Sequence, residues 1–506
     1  MNAPIVIAVL NARYAHTALG VRCLVANMGE LRSRTVLEEF LIQDDPERVA
    51  EQILSHRPTI VGISLSIWNM VPSGQVISII KRVAPDVCII VGGPEVRWAE
   101  TPPHGADVLI RGEAETVFPG ICTRILEGNT VPKVVDGGLP DLTSLVLPYD
   151  EYDDDDLSRR IIYVESSRGC PFGCEFCLSS REDKLRRFDI DRLLEKLETL
   201  IARGCKGFKF IDRTFNVDEG HWSRILDFFY EHWPREDAGT LVRPISTRQA
   251  ALGSVRGESF FLHFEVVPDR FDDKLIESLA RFPAGGIQLE VGIQTLDPVV
   301  GERIGRRVDA ETVARNLSRL KSGTGVHIHA DLIIGLPGED ENGFGRSFDS
   351  LRAMNPDEIQ LGILKLLPGA PIIRHADTYS MTFNPTPPYD VLQTDCITYS
   401  QMQHLKRTAK YYDIFVNSGK FKGAMNFLMS RGTSSFRAFS DFSSWIYRRI
   451  GKDHAVSQPR QYEAVLNYLT NETDLNTEKS AGILIEDFLG VNSPRYMPEC
   501  LRPYLS

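Results

Sequence analysis

Residues 165–180 read ESSRGCPFGCEFCLSS, and they place Cys170, Cys174 and Cys177 with three and then two residues between them. The stretch follows a short β-rich run, and its glycines and proline predict a tight loop. Thiolates are the standard ligands of iron–sulfur clusters, and one loop can bring three of them together. Three thiolates leave one iron of a four-iron cluster open. The spacing therefore predicts a [4Fe–4S] cluster with a free position for a further ligand.

The same cysteines admit a second interpretation, a structural zinc site or a chance spacing. A structural zinc ion takes four ligands in a closed tetrahedron, usually from paired Cys or His motifs. His263, His327 or Cys205 could supply a fourth ligand in space, but no second pair lies near in sequence. The missing partner favours the iron–sulfur interpretation.

The cysteine loop lies near the start of residues 161–375, where β-rich runs alternate with helical patterns. The predicted strands are Ile161–Glu165, Gly207–Ile211, Phe260–Val266, Ile287–Ile293, Val326–Ile334 and Ile359–Leu366. The predicted helices include Arg192–Ala202, Lys274–Arg281, Ala310–Lys321 and Arg346–Met354. Six βα units predict a partial barrel of the α/β class, open on one side. Function in such barrels gathers at the carboxyl ends of the strands.

Residues 1–135 show the same alternation with shorter elements. The predicted strands are Ile5–Leu10, Thr35–Ile42, Ile60–Ser66, Cys88–Val91 and Val108–Ile110, with helices such as Pro46–Ser55 and Gly74–Val83 between them. This pattern predicts a flavodoxin-like, Rossmann-type domain of five parallel strands. Ligands on such sheets bind at the carboxyl ends of the strands.

Two further segments have a different composition. Residues 136–160 contain paired glycines, two prolines and the acidic run Asp153–Asp156, which predict a linker with little buried surface. Residues 376–506 open with the proline-rich FNPTPPYD and continue as predicted helices, including Thr394–Asp413 and Tyr462–Thr470. We expect a mainly helical C-terminal domain that covers the open side of the barrel and shapes the substrate pocket.

The composition narrows the class of protein. The 506 residues suit about three domains, at ~100–200 residues each. A net charge of −11 without a long basic run disfavours a nucleic-acid partner. No apolar stretch approaches the ~20 residues of a membrane span, and the start lacks the basic region of a secretory signal. Nine cysteines then indicate metal binding or catalysis in a cytoplasmic protein before disulfides.

The cysteine loop and its place after the first barrel strand resemble the radical S-adenosylmethionine (SAM) superfamily. The aromatic Phe176 just before the last cysteine is part of the resemblance. It implies that the SAM amine and carboxylate chelate the open iron. It also implies that one electron, from an external reductant of the flavodoxin or ferredoxin type, cleaves SAM to a 5′-deoxyadenosyl radical. The cofactor supplies this chemistry, and the protein orients it.

The second and third predicted strands carry polar candidates. FKFIDRTFN, residues 208–216, resembles a D-x-x-x-N variant of cobalamin-associated members, which implies that Asp212 and Asn216 lie near SAM. A simple turn with Asx hydrogen bonds is the alternative. In FLHFEVVPD, alternation puts His263 and Glu265 on one face. They form either a satisfied buried pair or a contact with SAM or substrate, and the latter makes Glu265 a candidate catalytic residue.

The fourth and fifth strands extend the resemblance. IQLEVGIQT resembles the E-x-G-x-Q strand of the superfamily, which implies that Glu290 and Gln294 reach SAM or substrate. The fifth strand ends in Gly335, Leu336 and Pro337, and this segment resembles the loop that shapes the adenine pocket. The sixth, LGILKLLPGAPI, offers backbone edges to adenine or simply packs into its loop.

Residues 1–135 resemble the cobalamin-binding domain that precedes many radical SAM domains. The resemblance rests on NARYAHTALG (11–20), VGISLSIWN (61–69), VGGPEV (91–96) and RGEAE (111–115). It implies cofactor contacts from a set of side chains and backbone positions. They are Tyr14, His16, Ser64, Ser66, Gly92, Gly93 and Glu113. Domains that ligate cobalt use D-x-H-x-x-G, and this chain lacks the Asp, which argues against His16 as a cobalt ligand.

The resemblance implies a transferase. In the leading hypothesis, hydrogen abstraction from an unactivated carbon of a small molecule or peptide precedes methyl transfer from cobalamin. The alternatives are transfer of the 3-amino-3-carboxypropyl group of SAM to a soft acceptor such as trivalent arsenic, or a radical rearrangement or cyclisation in natural-product biosynthesis. A third hypothesis is a non-enzymatic corrinoid or metal-binding protein, which the row of SAM-like strands disfavours.

Overall fold

Short apolar strands dominate the first two thirds of the chain, and helices dominate the last third. The computed structural model describes residues 4–181, 184–234 and 260–505. The described strands form two separate six-stranded sheets and two small pairs of strands. Among the described helices, none has the length and apolar character needed to span a bilayer.

The first sheet is wholly parallel and carries its helices on both faces. Its strands are β1 Ile5–Asn11, β2 Thr35–Leu41, β3 Ile60–Ser64, β4 Cys88–Gly92, β5 Val108–Arg111 and β6 Val134–Asp136. Its helices are α1 Leu19–Ala26, α2 Pro46–Ser55, α3 Met70–Val83 and α4 Phe118–Leu126. The order β2-β1-β3-β4-β5-β6 is flavodoxin-like, as predicted, with its switch point between β1 and β3. The predicted count of five strands is wrong, because β6 pairs with β5.

The second sheet is also parallel. Its strands are β7 Ile162–Val164, β10 Gly207–Phe210, β11 Phe261–Val266, β12 Ile287–Gln294, β13 His327–Ile334 and β14 Glu358–Ile363, with the two-strand pair β8 Ser167–Arg168 and β9 Arg186–Arg187 between the first two. The order runs from β7 to β14 without a pair between these edge strands. The predicted partial barrel, open on one side, is confirmed.

The helices of this barrel start at aspartates. They are α6 Ile190–Ala202, α7 Glu219–Glu231, α8 Asp273–Ala280, α9 Pro298–Arg303, α10 Ala310–Gly323 and α11 Glu341–Ala353, and a short helix α5 Asp154–Arg159 precedes β7. Each of the six is preceded by an aspartate whose carboxylate accepts a first-turn N–H. Such caps satisfy donors that a helix start would leave unpaired. Local sequence therefore determines where each barrel helix begins.

Residues 136–160 are not an exposed linker, and that expectation is wrong. Leu142, Leu145, Leu147, Tyr149 and Tyr152 are all buried, and they belong to the same apolar core as the barrel strands. The segment lies against α1 and α6, so its apolar residues fill the space between the two sheets. The glycines, prolines and acidic residues of the segment predicted exposure, although its leucines and tyrosines are buried. The division of the chain at residues 135, 160 and 375 stays a prediction.

The C-terminal region is mainly helical, as predicted. Its helices are α12 Tyr399–Tyr412, α13 Lys422–Met429, α14 Ser435–Ile450, α15 Gln458–Glu472 and α16 Thr477–Val491, after a small hairpin of β15 Thr382–Phe383 and β16 Val391–Gln393. Met402 and Leu405 of α12 and Phe436 of α14 pack into the barrel core. The region therefore shares one hydrophobic core with the barrel.

Candidate functional site

The three cysteines lie on the loop that follows β7, at the carboxyl end of the barrel. Cys170, Cys174 and Cys177 lie between β8 and β9, and these two strands pair with each other at the base of the loop. The amide of Cys177 donates to the carbonyl of Cys174 at 3.0 Å. Gly305 supports the turn from the other side, since a Cβ there would lie 2.5 Å from the carbonyl oxygen of Gly173. One short turn therefore holds all three thiols.

The thiols interact with one another and with one cation. Burial raises the pKa of Cys174, while the Arg306 guanidinium, 3.9 Å from its sulfur, opposes the rise and Cys177 adds to it. Burial also raises the pKa of Cys170, and the charges of Cys177 and Cys174 raise it further. Within 4–181, 184–234 and 260–505, no group of three His, Cys, Asp or Glu is placed to hold a metal ion. The three thiols of the loop can each bind a different iron of a cluster, whereas a tetrahedral zinc needs a fourth ligand.

Glu175, between the second and third cysteines, fastens the loop to the segment after β14. Its buried carboxylate accepts from Arg374 Nε at 2.9 Å and lies 2.8 Å from His375 Nε2. Its backbone N–H donates to Ile304 and its carbonyl accepts from Ile372, both at 2.9 Å. The predicted residue Phe176 packs against the barrel core beside it. The sequence analysis missed Glu175, whose only signal was its position inside the cysteine motif.

A row of charged side chains lines the inner face of the barrel. His263 Nε2 lies 2.9 Å from Glu290 Oε2, and Lys209 Nζ lies 3.8 Å from the same oxygen. Glu265 faces Arg213 at 3.5 Å. Burial and Lys209 lower the pKa of His263 to about 4, so its imidazole is neutral at pH 7. His263 and Glu265, which strand alternation predicts on one face, both lie in this row. His263 pairs with Glu290 rather than with Glu265.

The charges on this face reach the cysteine loop. Burial raises the pKa of Glu290, but His263 and Lys209 outweigh it, and the carboxylate stays ionised. Burial raises the pKa of Glu265, and Arg213 opposes the rise. Glu265 raises the pKa of Arg213, and so does the charge of Cys177. Arg213 therefore pairs with a carboxylate of the barrel face and is also affected by the charge of Cys177.

The end of β12 is irregular at Gln294. Its φ is +72°, in the left-handed region, and the register with β13 shifts between Gly292 and Gln294. A Cβ at Gly292 would lie 2.7 Å from Gln294 Nε2, so the side chain of Gln294 folds back over the glycine. Strained backbone of this kind is concentrated at functional sites. Simple alternation along the strand could not predict this bulge.

The polar groups of Asp212 and Asn216 form hydrogen bonds within the protein. The buried Asp212 carboxylate accepts from the Ser166 hydroxyl at 2.6 Å and the Ser167 hydroxyl at 2.5 Å. The Asn216 amide donates to the carbonyls of Val267 at 3.0 Å and Arg270 at 2.7 Å. These bonds reach residues at least 45 positions away, so they are not the local Asx turn of the alternative prediction. Contact of Asp212 and Asn216 with SAM stays a prediction.

The loop after β13 lies beneath the C-terminal region. Gly335 has a φ of +88°, and a Cβ there would lie 2.6 Å from Val391 Cγ1. Leu336 is fully buried, and the carbonyl of Pro337 accepts from Arg303. Packing against Val391 therefore explains the glycine of this loop. The contact of its residues with adenine stays a prediction.

An apolar cavity of about 290 Å³ opens at the carboxyl ends of β1, β3, β4 and β5. Its lining includes the predicted residues Ser64, Gly92, Gly93 and Glu113. Gly93 has a φ of +106°, and a Cβ there would lie 2.4 Å from the carbonyl oxygen of Leu65. The cavity lies at the switch point of the sheet, where a flat apolar ligand can approach the backbone. Its size and apolar walls suit the aromatic base of a corrinoid tail.

Three predicted residues lie outside the lining of this cavity. Ser66 is buried, and its amide donates to Asn69 Oδ1 at 2.7 Å. Tyr14 donates to Asp155 at 2.5 Å. His16 Nδ1 contacts the Tyr163 hydroxyl, beside the first barrel strand. Burial and Lys209 lower the pKa of His16 to about 4, so the imidazole is neutral. The Ser66 contact is local to the first domain, whereas Tyr14 and His16 contact the segment around the first barrel strand. A cofactor role for the three residues stays a prediction.

Arg168, which the sequence analysis did not single out, connects this cavity to the cysteine loop. It lies two residues before Cys170 and also lines the cavity. Its guanidinium pairs with Glu113 at 2.6 Å and with Glu115 at 2.7 Å. Both carboxylates belong to the first sheet. Arg168 is therefore shared by the two candidate sites.

Three family models match separate parts of the chain. The B12 binding domain matches residues 5–122, the Radical SAM superfamily matches 164–351, and a protein of unknown function (DUF4080) matches 377–505. Residues 164–351 belong to the radical SAM superfamily. The first sheet of the chain forms a B12-binding domain, so the resemblance to the cobalamin-binding subgroup is confirmed.

Curated relatives resemble the chain at low identity. The cobalamin-dependent radical SAM methyltransferase TokK of Streptomyces tokunonensis is 22% identical over 459 residues, which are 82% of this chain and 62% of TokK. An uncharacterized methyltransferase of Pyrococcus horikoshii is 24% identical over 65% of this chain and 71% of its own. The 2-(S-pantetheinyl)-carbapenam-3-carboxylate methyltransferase of Streptantibioticus cattleyicolor is 24% identical over 66% and 50%. The chain thus spans half to about seven tenths of the length of these relatives.

Solved structures share the fold. The cobalamin-dependent SAM radical enzyme OxsB, with aqua-cobalamin bound, aligns with 99% of this chain and 83% of its own at a TM-score of 0.58 and 13% identity. The radical SAM methyltransferase TsrM of Kitasatospora setae, with tryptophan and a SAM analog, aligns with 76% and 79% at a TM-score of 0.57 and 15% identity.

The two domains imply three cofactors, a [4Fe–4S] cluster, SAM and cobalamin, as predicted. The side chains present suit them. The cysteine turn offers three thiolates, with Arg306 to balance their charge. The carboxylates of Glu265 and Glu290 and the cation of Arg213 suit the polar ends of SAM. The apolar cavity at the switch point suits the corrinoid tail.

Proposed function

We propose that this chain is a cobalamin-dependent radical SAM methyltransferase that methylates an unactivated carbon of a small molecule or peptide. One observation carries the proposal: the cysteine turn and the corrinoid-type cavity share Arg168, so the two cofactor sites adjoin. A methyl donor and a radical source must both reach one substrate carbon, which requires neighbouring sites. The names of TokK and the carbapenam methyltransferase support methyl transfer as the outcome.

The residues have separable tasks in this proposal. When bound, the cluster and SAM supply a radical that abstracts hydrogen, and cobalamin supplies the methyl group. Cys170, Cys174 and Cys177 hold the cluster, and Arg306 offsets their negative charge. Glu265 and Arg213 orient the polar end of SAM on the barrel face. Preorganised groups of this kind lower the barrier by holding the reacting atoms at a productive distance.

Glu290 and the C-terminal region complete the enclosure. Glu290 stays ionised beside the neutral His263, so it can accept hydrogen bonds from ribose hydroxyls or an ammonium group. The C-terminal region covers Gly335 and Leu336 at the end of β13. This cover keeps water from the barrel end, where a carbon radical would otherwise meet side reactions.

A second cavity supports a substrate with an apolar portion. It measures about 450 Å³ and lies between the loop after β14 and the C-terminal hairpin, with Leu367, Phe383 and Tyr389 in its lining. The Tyr389 hydroxyl donates to Glu95 of the B12-binding domain. The adjoining Ile372 is hydrogen-bonded to the cysteine loop through Glu175. The cavity thus adjoins both cofactor domains, where a substrate of this reaction must bind.

The cysteines and the proposed cluster also bear on the cellular compartment of the enzyme and on its electron donor. No disulfide links any of the nine cysteines, all of which lie in the part of the chain that the structure describes. Reduced cysteines and an iron–sulfur cluster suit a reducing compartment, so we propose that the enzyme is cytoplasmic. There a flavodoxin or ferredoxin can supply the electron that the reaction requires.

The proposal is tested by the fate of SAM. The anaerobically reconstituted protein is incubated with SAM and a one-electron reductant, with and without added hydroxocobalamin, and the SAM fragments are measured by mass spectrometry. We expect 5′-deoxyadenosine in both samples, and S-adenosylhomocysteine only when cobalamin is present. Formation of methylthioadenosine would instead indicate aminocarboxypropyl transfer and would overturn the proposal. Intact SAM in the presence of a full, reduced cluster would overturn it as well.

A further inference from the structure

The guanidinium of Arg168 is surrounded by three carboxylates. Its Nη1 lies 2.6 Å from Glu113, its Nη2 lies 2.7 Å from Glu115, and its Nε lies 2.9 Å from Glu165. Only 11% of the side chain is exposed. The planar fork of arginine suits such multiple contacts, and a lysine in the same place can make fewer of them. Arg168 therefore contacts carboxylates from two domains.

The other contacts of these carboxylates strengthen the junction. Arg186 of β9 also pairs with Glu113, and its Nη1 donates to the carbonyl of Pro140 at 3.0 Å. The backbone of Arg186 pairs with that of Arg168 in the β8–β9 ladder. Gly137 packs directly on this turn, since a Cβ there would overlap the carbonyl of Glu113. The junction is thus a compact unit that contains part of the cavity wall.

The same unit contains the start of the cysteine turn. Gly169, with a φ of +89°, is the single residue between Arg168 and Cys170. When the three thiolates bind a cluster, the position of Cys170 becomes fixed, and the backbone of Arg168 becomes fixed with it. Glu113, Glu115 and Arg168 line the corrinoid-type cavity. Ordering the cysteine turn therefore also orders one wall of that cavity.

We infer that Arg168 is a positioning residue that couples the two cofactor sites, so that the protein with its cluster binds cobalamin more tightly than the cluster-free protein. The inference rests on the cofactors of the proposed function. Its physical basis is the ordering cost of binding, because a ligand that enters a preordered wall loses less conformational freedom. Coupling between two sites commonly changes affinity about 5-fold or more.

The test measures hydroxocobalamin binding by equilibrium dialysis, without SAM or reductant, on cluster-free and on cluster-reconstituted protein. We expect the cluster to lower the Kd of the wild-type chain at least about 5-fold. Arg168→Lys keeps the charge but cannot make all three contacts at once, so the ratio of the two Kd values should fall towards 1. Arg187→Lys is the matched control, because Arg187 lies on the paired strand β9 but contacts Asp218 at the surface. Its ratio should equal that of the wild type.

A second variant covers the case in which Arg168→Lys fails to fold. Glu113→Gln keeps Arg168 and removes one of its carboxylates, and it should also reduce the ratio. The inference is overturned if the wild-type chain has the same Kd with and without the cluster. It is also overturned if a folded Arg168→Lys or Glu113→Gln protein keeps the wild-type ratio of the two Kd values. Either result leaves the proposed function standing. Failure of the wild-type chain to bind cobalamin at all, with or without the cluster, overturns the proposed function instead.

Discussion

Replacement of the buried Asp156 by Asn tests how the two sheets are held together. Asp156 lies 2.6 Å from both Arg22 and Arg160, and each arginine also lies 2.7 Å from Glu39. The four side chains form a closed set of two cations and two anions. Arg160 further donates to the carbonyls of Tyr14 and His16, which links the set to the loop after β1. The substitution removes one anion and leaves two buried guanidinium groups facing one carboxylate.

The expected cost follows from burial. Breaking a buried ion pair by removing one partner costs ~3–5 kcal/mol, because a charge is left uncompensated away from water. Asp156→Asn should therefore speed hydrogen exchange of the amides in α1 and α5 by about two to four orders of magnitude, at ~1.4 kcal/mol per tenfold. Mass spectrometry of peptides from these helices measures the change locally. This choice avoids the assumption that such a large protein unfolds in one step.

Asp154→Asn provides the matched control from the same acidic run. The side chain of Asp154 is 92% exposed, against 8% for Asp156, and its partner is Arg203 at 3.0 Å. A surface change of this kind alters stability by less than ~0.5 kcal/mol. We therefore expect its exchange rates to stay within a fewfold of the wild type. Equal effects of the two substitutions would refute the view that the buried charges hold the sheets together.

Three further outcomes follow from the structure. Cys174→Ala should abolish both the broad iron–sulfur absorbance and SAM cleavage, whereas Cys205→Ala, a buried cysteine outside the motif, should retain both. Gly93→Ala should destabilise the protein by ~1–3 kcal/mol because of its positive φ and the Leu65 contact, while Gly20→Ala, with no atom within 4 Å, should unfold like the wild type. Burial raises the pKa of Glu39, but Arg22 and Arg160 lower it to about 2. Its stabilisation, about 3 kcal/mol, should be present above pH ~4.5 and should disappear between pH ~4.5 and 2 in acid titrations of unfolding. Unchanged stability across that range, or an intact cluster in Cys174→Ala, would contradict these expectations.

The sequence predicted the architecture because each element has a local cause. The alternation of apolar strands with helical patterns predicted both parallel sheets, and the predicted range Pro46–Ser55 matches the observed helix. The sixth strand of the first sheet was missed because Val134–Asp136 is short and lies next to paired glycines. Those glycines indicated a linker, but Gly137 is required by the nearby carbonyl of Glu113.

The candidate site could be predicted only where its residues share one segment. The cysteine motif is local, and so are the glycines of the cavity. Arg306 and Arg374 come from distant segments, and the Glu113 partner of Arg168 comes from the other domain, so no local pattern predicts these contacts. Alternation found Glu265 and Glu290 but not their partners, because cross-strand register decides which charges meet.

Asp212 shows that a sequence motif alone does not establish what a side chain contacts. Its position at the end of a barrel strand resembles a cofactor contact, yet it accepts three hydrogen bonds from Ser166 and Ser167. A carboxylate can thus support the cysteine turn from behind while its sequence context resembles a binding residue. Only the positions of the donors distinguish the two roles.

The contact between Glu175 and Arg374 has a consequence for the way the protein is made. The two residues are 199 positions apart, so the cysteine turn emerges from the ribosome long before its anchor exists. At ~5–20 residues per second, synthesis of the intervening chain takes about 10–40 s. During that time the thiols lack the segment that later covers them. An assembly factor that delivers iron and sulfide to the nascent chain would therefore meet a more open turn than one that acts on the finished protein.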